Sequence, residues 1–283
     1  MKHINLYFYS KLLLLVLILP SVNTACATTD INKKPIDVKL AIIGNTGPDS
    51  PFIGYSEKLP EVFELINNEN PLAVIHTGNI IHGGEEWMGI SRDDIMRQFD
   101  NFLEAKSKLY PIMHTVLGDD DLYNKTADLY IKYMNKELNY SFNYGNIHFI
   151  IYNTVNTKFD SIQKQHLKWL KKDLDAHRQY ASILVFTYNQ IIGVNSNSEN
   201  NEQGENTHRL LSKYPVKAVF SGNYRGFYTF KKDDIQYFLT GCGGYTKEKN
   251  SWQYNQYYIL ELKDGEIQIK GKKIYQNSDT NNN

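Results

Sequence analysis

Five short polar segments, each following an apolar run, carry the side chains that could do chemistry. They are Gly44-Asn45-Thr46-Gly47, Gly78-Asn79-Ile80-Ile81-His82, Gly118-Asp119-Asp120-Asp121, Phe186-Thr187-Tyr188-Asn189 and Gly222-Asn223-Tyr224-Arg225. Adjacent carboxylates such as Asp119 and Asp120 suit a hard cation held through oxygen, and His82 offers a nitrogen beside them. The amides of Asn45, Asn79 and Asn223 with the fixed cation of Arg225 suit a phosphate or carboxylate ligand instead. Taken singly each segment is only a turn, because Gly and Asn are default turn residues. Ser221 lies in no Gly-x-Ser-x-Gly elbow, and neither a P-loop nor a dinucleotide fingerprint occurs.

The elements that must position these residues follow from periodicity. Asp37–Ile43, Leu72–Thr77, Ile112–Leu117, Ser182–Thr187 and Val216–Ser221 read as strands that deliver the five segments. Glu57–Asn67, Ser91–Ser107, Ala127–Met134 and a helix capped by Ser161 carry apolar residues at spacings of three and four. Tyr140–Tyr144 with His148–Asn153 reads as a hairpin, as does Tyr257–Leu262 with Glu266–Tyr275 across Asp264-Gly265. Tyr228–Lys231 and Ile235–Thr240 are further strands, and Asn195–Asn206 reads as a polar loop. Mid-strand His76, His114 and His148 read as hydrogen-bonded core residues. Alternating strands and helices followed by hairpins predict an α/β sandwich, in which ligands bind at the carboxyl ends of the strands.

Composition narrows the function classes. The 283 residues hold 31 basic and 31 acidic side chains, so no general basic surface exists for phosphate neutralisation on nucleic acid. Two cysteines cannot build a disulfide scaffold. Cys242, in an apolar context, reads as buried filler.

The order and spacing of the five segments resemble the calcineurin-like metallophosphoesterase family, nearest its purple acid phosphatases. That family reads Gly-Asp-x-Gly, Gly-Asp-x-x-(Asp/Tyr), Gly-Asn-His-(Asp/Glu), a strand ending in His, then Gly-His-x-His. The stretches Tyr140–Phe149 and Gln165–Leu174 resemble its central hairpin and following helix. The resemblance spans residues 36–276 and implies a four-layer α-β-β-α sandwich. It also implies two metal ions (Fe, Zn or Mn), bridged by one aspartate, that activate a water for in-line attack on phosphate.

Position by position, the implied ligands are absent. The first aspartate is Asn45 and the bridging aspartate is Asn79. The Asn-His pair is Asp119-Asp120, the fourth-segment His is Tyr188, and the last two histidines are Asn223 and Arg225. A neutral amide cannot neutralise two dications about 3.5–4 Å apart, and a guanidinium stays protonated where a cation belongs. No metal cofactor is therefore expected. The sequence predicts a phosphoesterase-fold protein without catalysis that binds a protein or a phosphate- or carboxylate-bearing ligand in the vestigial cleft. An atypical, mononuclear phosphoesterase using Asp119, Asp120 and His82 is the alternative. Arg225 is expected near Asp119 or Asp120, as counter-charge in place of the metals.

The N-terminus carries a targeting pattern. Lys2 and Lys11 precede the apolar run Leu12–Leu19, which is shorter than the roughly 20 residues a membrane-spanning helix needs. A small-residue stretch follows, as in a secretory signal peptide over residues 1–27. Cleavage after Ala25-Cys26-Ala27 gives a soluble exported chain; Thr24-Ala25-Cys26 resembles a lipobox, with Cys26 acylated and the protein lipid-anchored. Either way the protein is expected in a periplasmic, cell-surface or secreted location, touching membrane only through such an anchor. A linker (28–35), one domain (36–276) and a disordered tail (277–283) complete the expectation.

Overall fold

The computed structural model describes residues 36–52, 54–55, 59–156, 163–193, 201–224, 226–240 and 256–274. Residues 1–35 and 275–283, where a targeting segment, a linker and a tail are expected, lie outside the described residues, as do Ser161, Arg225 and Cys242; Cys26 is among the former.

Two mixed sheets face each other. In chain order the strands are β1 (Val38–Ile43), β2 (Ala73–His76), β3 (Ile112–Thr115), β4 (Tyr140–Tyr144), β5 (Ile147–Ile151) and β6 (Ser182–Thr187). They continue with β7 (Val216–Ser221), β8 (Tyr228–Lys232), β9 (Ile235–Leu239), β10 (Gln256–Lys263) and β11 (Glu266–Lys273). The helices are α1 (Leu59–Asn68), α2 (Arg92–Lys106), α3 (Asp128–Met134), α4 (Gln163–Ala176) and α5 (Asn201–Leu211). The first sheet runs β11-β10-β1-β2-β3 and the second β4-β5-β6-β7-β9-β8. No helix among the described residues is long and apolar enough to cross a membrane.

Alternation along the strands of the second sheet sorts the core. Phe149, Ile151, Leu184, Phe186, Ala218 and Phe220 face the first sheet and join its core with α1 and α2. Ile150, Ile183, Val185 and Val219 point the other way and pack on Leu170 and Leu174 of α4 and Leu211 of α5. Side chains that alternate across a strand with period two must divide in this way when both faces are covered. Phe186, Phe220 and Phe238 stack across β6, β7 and β9 with centroids 4.9 and 4.8 Å apart. Such pairs add about 0.5–1.5 kcal/mol beyond area burial.

The helix expected over Ser91–Ser107 starts where its cap dictates. Ser91 Oγ accepts the Asp94 N–H, and the Asp94 carboxylate accepts the Ser91 N–H, a reciprocal capping box. The polar loop expected over Asn195–Asn206 is corrected in its second half, because Asn201–Leu211 is helix α5. Polar contacts add to the packing of Leu211 in holding that helix. His208 hydrogen-bonds the Tyr237 hydroxyl at 2.7 Å and the Asp233 carboxylate at 2.9 Å, and Gly204 lies against the Ile191 carbonyl.

The mid-strand histidines also divide. His76 and His148 are buried and hydrogen-bonded. His114 instead stacks on Phe142 at 3.6 Å, and its buried Nδ1 has no hydrogen-bond partner, a departure from the hydrogen-bonded role expected of it. The stack and the Tyr140 hydroxyl, which accepts from Thr115 N at 3.0 Å, tie the edge strand β3 to the edge strand β4 and so clamp the two sheets along one side.

Candidate functional site at the carboxyl ends of the strands

Parallel register aligns Ile43 with His76 and His76 with Thr115 in the first sheet. It aligns Ile151 with Phe186 and Thr187 with Ser221 in the second. The loops that leave these ends meet between the sheets. Asn45 donates its backbone N–H to the Gly78 carbonyl at 2.9 Å and its side-chain amide to the Gly222 carbonyl at 3.1 Å, joining loops after β1, β2 and β7. Asn45 and Asn79 both sit at positive φ (50° and 56°), a conformation asparagine tolerates better than most residues.

The centre of the site is a hydrogen-bonded chain. The Asn79 amide donates at 2.8 Å to an Asp120 carboxylate oxygen and at 2.8 Å to the Tyr188 hydroxyl. Its Oδ1 accepts the Asp120 backbone N–H at 3.1 Å. The Tyr188 hydroxyl in turn donates to Asp119 Oδ1. Burial and the neighbouring Asp119 carboxylate both push the Tyr188 phenol above its ordinary range, so it stays protonated and acts as a donor. Gly78 makes room for this ring. At φ +103° a Cβ there would lie 2.6 Å from the Tyr188 ring, so the position admits only glycine.

Asp121 anchors the same loops. Its two carboxylate oxygens accept four backbone N–H groups, from Ile80 (2.7 Å), Gly118 (2.8 Å), Asn79 (3.1 Å) and Ile81 (3.2 Å). Burial pushes its carboxyl up to about 7, opposed by those N–H bonds and reinforced by the nearby Asp120 charge. Asp121 has no role among the sequence-based expectations. Its signal was the acid that closes the third family segment. His76 performs the matching task for the first loop. Its Nδ1 accepts the Gly78 N–H at 3.2 Å, which leaves Nε2 as the donor to Thr46 Oγ1 at 2.9 Å. Burial lowers the imidazole to about 3.

The other expected site residues are peripheral. His82 pairs with the Pro48 carbonyl at 2.8 Å. Asn223 is exposed and donates to Asn189 Oδ1 at 2.9 Å, and Asn189 donates to the Thr154 carbonyl at 2.7 Å. Asn189 thus belongs to the rim although sequence reasoning gave it no part. A cavity of ≈ 90 Å³ opens beside it, lined among others by Asn153, Thr154, Gln203 and Thr207. Arg225 lies outside the described residues; the groups described against Asp119 and Asp120 are Tyr188 and Asn79.

These donors do not fit a dinuclear metal centre. Where a bridging carboxylate is required, the Asn79 amide uses both N–H groups and its oxygen in bonds to Tyr188 and Asp120. A Cβ on Gly118 would lie 2.1 Å from Asn79 Oδ1, so the loops close directly over that amide. Among the described residues, the three metal-type donors that gather within 4.8 Å are not His82, Asp119 and Asp120 but a set elsewhere in the fold.

Comparison with known proteins agrees with this architecture. A family model described as calcineurin-like phosphoesterase matches residues 28–269. No curated protein matches the chain by sequence. Solved structures that share the fold include three of particular interest. GAP50, "the anchor in the inner membrane complex of Plasmodium", aligns at TM-score 0.62 and 20% identity, over 84% of this chain and 85% of that one. A dimetal phosphatase from Danio rerio aligns at TM-score 0.63 and 13% identity, over 83% and 96%. The yellow lupin purple acid phosphatase PPD1 aligns at TM-score 0.59 and 14% identity, over 85% of this chain and 52% of that one.

Proposed function

Because the chain belongs to the calcineurin-like phosphoesterase family yet carries amides and a phenol where that family places metal ligands, we propose that it is an exported, non-catalytic member. It works as a binding module for a protein or for a ligand bearing phosphate or carboxylate. The observation that carries this reading is the Asn79–Tyr188–Asp119 chain, which spends on internal hydrogen bonds the groups that would have to face metal and substrate. Self-satisfied polar clusters hold loops in place and leave little free donor capacity for chemistry.

Export rests on the basic, apolar and small-residue order of residues 1–27. A holding role has a counterpart among the structural neighbours, one of which is described as an anchor of a membrane complex. The rim left open beside Asn189 and Asn223 is where a partner would touch the former cleft.

The test is hydrolysis of p-nitrophenyl phosphate and bis-p-nitrophenyl phosphate by the purified full chain, with Zn, Mn or Fe supplied. No turnover above buffer is expected. Turnover that Asp119→Ala abolishes overturns the reading and establishes the mononuclear enzyme instead.

A further inference from the structure

At the opposite, amino end of the second sheet, a different group of side chains converges. His148 stands near the start of β5, and Asp173 and His177 lie at the C-terminal end of α4, which packs over that strand. A ring nitrogen of each histidine and a carboxylate oxygen of Asp173 all fall within 4.8 Å of one another. His148 Nε2 is 2.7 Å from Asp173 Oδ2, and His177 Nδ1 is 3.5 Å from Asp173 Oδ1. The side chains of His148, Asp173 and His177 are 0%, 10% and 23% exposed, so the group opens to solvent only on the His177 side.

We propose that His148, Asp173 and His177 form a site for one divalent transition metal with the ligand preferences of zinc. Two imidazoles and a carboxylate are a donor set that zinc takes, with water completing a tetrahedron.

The outer contacts point the same way. The Asn143 side-chain oxygen, 2.6 Å from His148 Nδ1, calls for a proton on that nitrogen and turns Nε2 toward Asp173. The Asp173 backbone carbonyl, 2.8 Å from His177 Nδ1, calls for a proton there and leaves the Nε2 of His177 as its acceptor. Ser141 Oγ donates to Asp173 Oδ1 at 2.7 Å. Imidazoles that bind metal characteristically donate their other N–H to an amide or carbonyl oxygen, and ligating carboxylates are themselves hydrogen-bonded.

Position adds a further argument. The C-terminal end of a helix carries partial negative charge, which favours a cation. The His148 and His177 rings stack with centroids 3.8 Å apart, so His177, the more exposed ring, is the one that turns to complete the site. A metal held here fastens the β4–β5 hairpin to α4, far from the cleft and independently of its function.

The experiment uses the full chain stripped with a chelator, titrated with Zn²⁺ by calorimetry and with Co²⁺ by visible absorption. One Zn²⁺ per chain is expected, with cobalt bands of a four-coordinate nitrogen and oxygen site. His177→Ala should weaken binding by more than the roughly 10- to 100-fold that losing an outer contact causes. His177→Cys should restore it and add a thiolate-to-cobalt charge-transfer band, and Asp119→Ala should leave it unchanged. Absence of binding, binding untouched by His177→Ala, failure of His177→Cys to restore it, or loss through Asp119→Ala each overturns the proposal.

Discussion

The Tyr188 hydroxyl donates to the Asp119 carboxylate while accepting from the Asn79 amide at 2.8 Å, so one phenol links the loops after β2, β3 and β6. Tyr188→Phe removes both bonds and leaves a buried amide N–H without its acceptor. An unmade buried bond costs about 1–3 kcal/mol. Urea denaturation should show a loss of stability in that range, and an unchanged midpoint would mean the chain does not hold the loops.

Asp121→Asn tests the anchor beneath them. An amide offers one acceptor and turns two N–H groups toward backbone donors that now bond a carboxylate. The expected loss is about 2–5 kcal/mol, since more than one buried donor is stranded. Hydrogen exchange should accelerate at Asn79, Ile80, Ile81 and Gly118 before it does in β6 or β7.

Acid should destabilise the fold through its buried imidazoles. His76 is lowered by burial from 6.5 to about 3, and His114 from 6.5 to about 4 by burial and then by Lys136. A depressed imidazole contributes stability that is complete above 6.5 and is lost as pH falls toward the folded value. Asp121 acts oppositely, since a carboxyl raised to about 7 loses its contribution as pH rises from 3.8. Two groups against one leave a net loss of stability, on the order of 1 kcal/mol per pH unit, as pH falls from 6.5 toward 4. Urea midpoints across that range measure the slope, and His76→Asn should flatten it.

Gly204→Ala should break the usual helix rule. In an open helix the change gains about 1 kcal/mol. In α5 the new Cβ would meet the Ile191 carbonyl oxygen at 2.0 Å, so a drop in melting temperature is expected. A rise would mean that the contact yields freely.

Strands and glycine-marked ends were legible because both faces of the second sheet are covered, which produces unbroken apolar runs such as Ile183–Phe186. Helix α5 was not. Its buried residues include Thr207 and His208 as well as Leu211, so positions on its inner face read as polar in the sequence, and His208 finds its partners on β9 and the β8–β9 turn. Spacing puts Asn45 and Asn79 just after the first two strands, but it does not name the groups they bond, Gly222 for Asn45 and Tyr188 and Asp120 for Asn79. Arg225, expected beside Asp119 or Asp120, lies outside the described residues; the phenol described against Asp119 comes from the loop after β6, a pairing that spans 69 residues and leaves no local trace. Asp121 escaped notice because a carboxylate devoted wholly to backbone N–H groups resembles any turn aspartate.

The place of β1 governs when the fold can close. Its edges are taken by β2 on one side and by β10 on the other, where Val38 pairs with Leu262. A ribosome or translocation channel that releases the chain from its N-terminus therefore presents β1 with one open edge until the residues of β10 emerge. For that whole interval the strand is a free template for other chains, and the long separation between partners slows its capture. Completion of the first sheet is thus a late step in the life of each new molecule, and the interval before it is when a chaperone has most to protect.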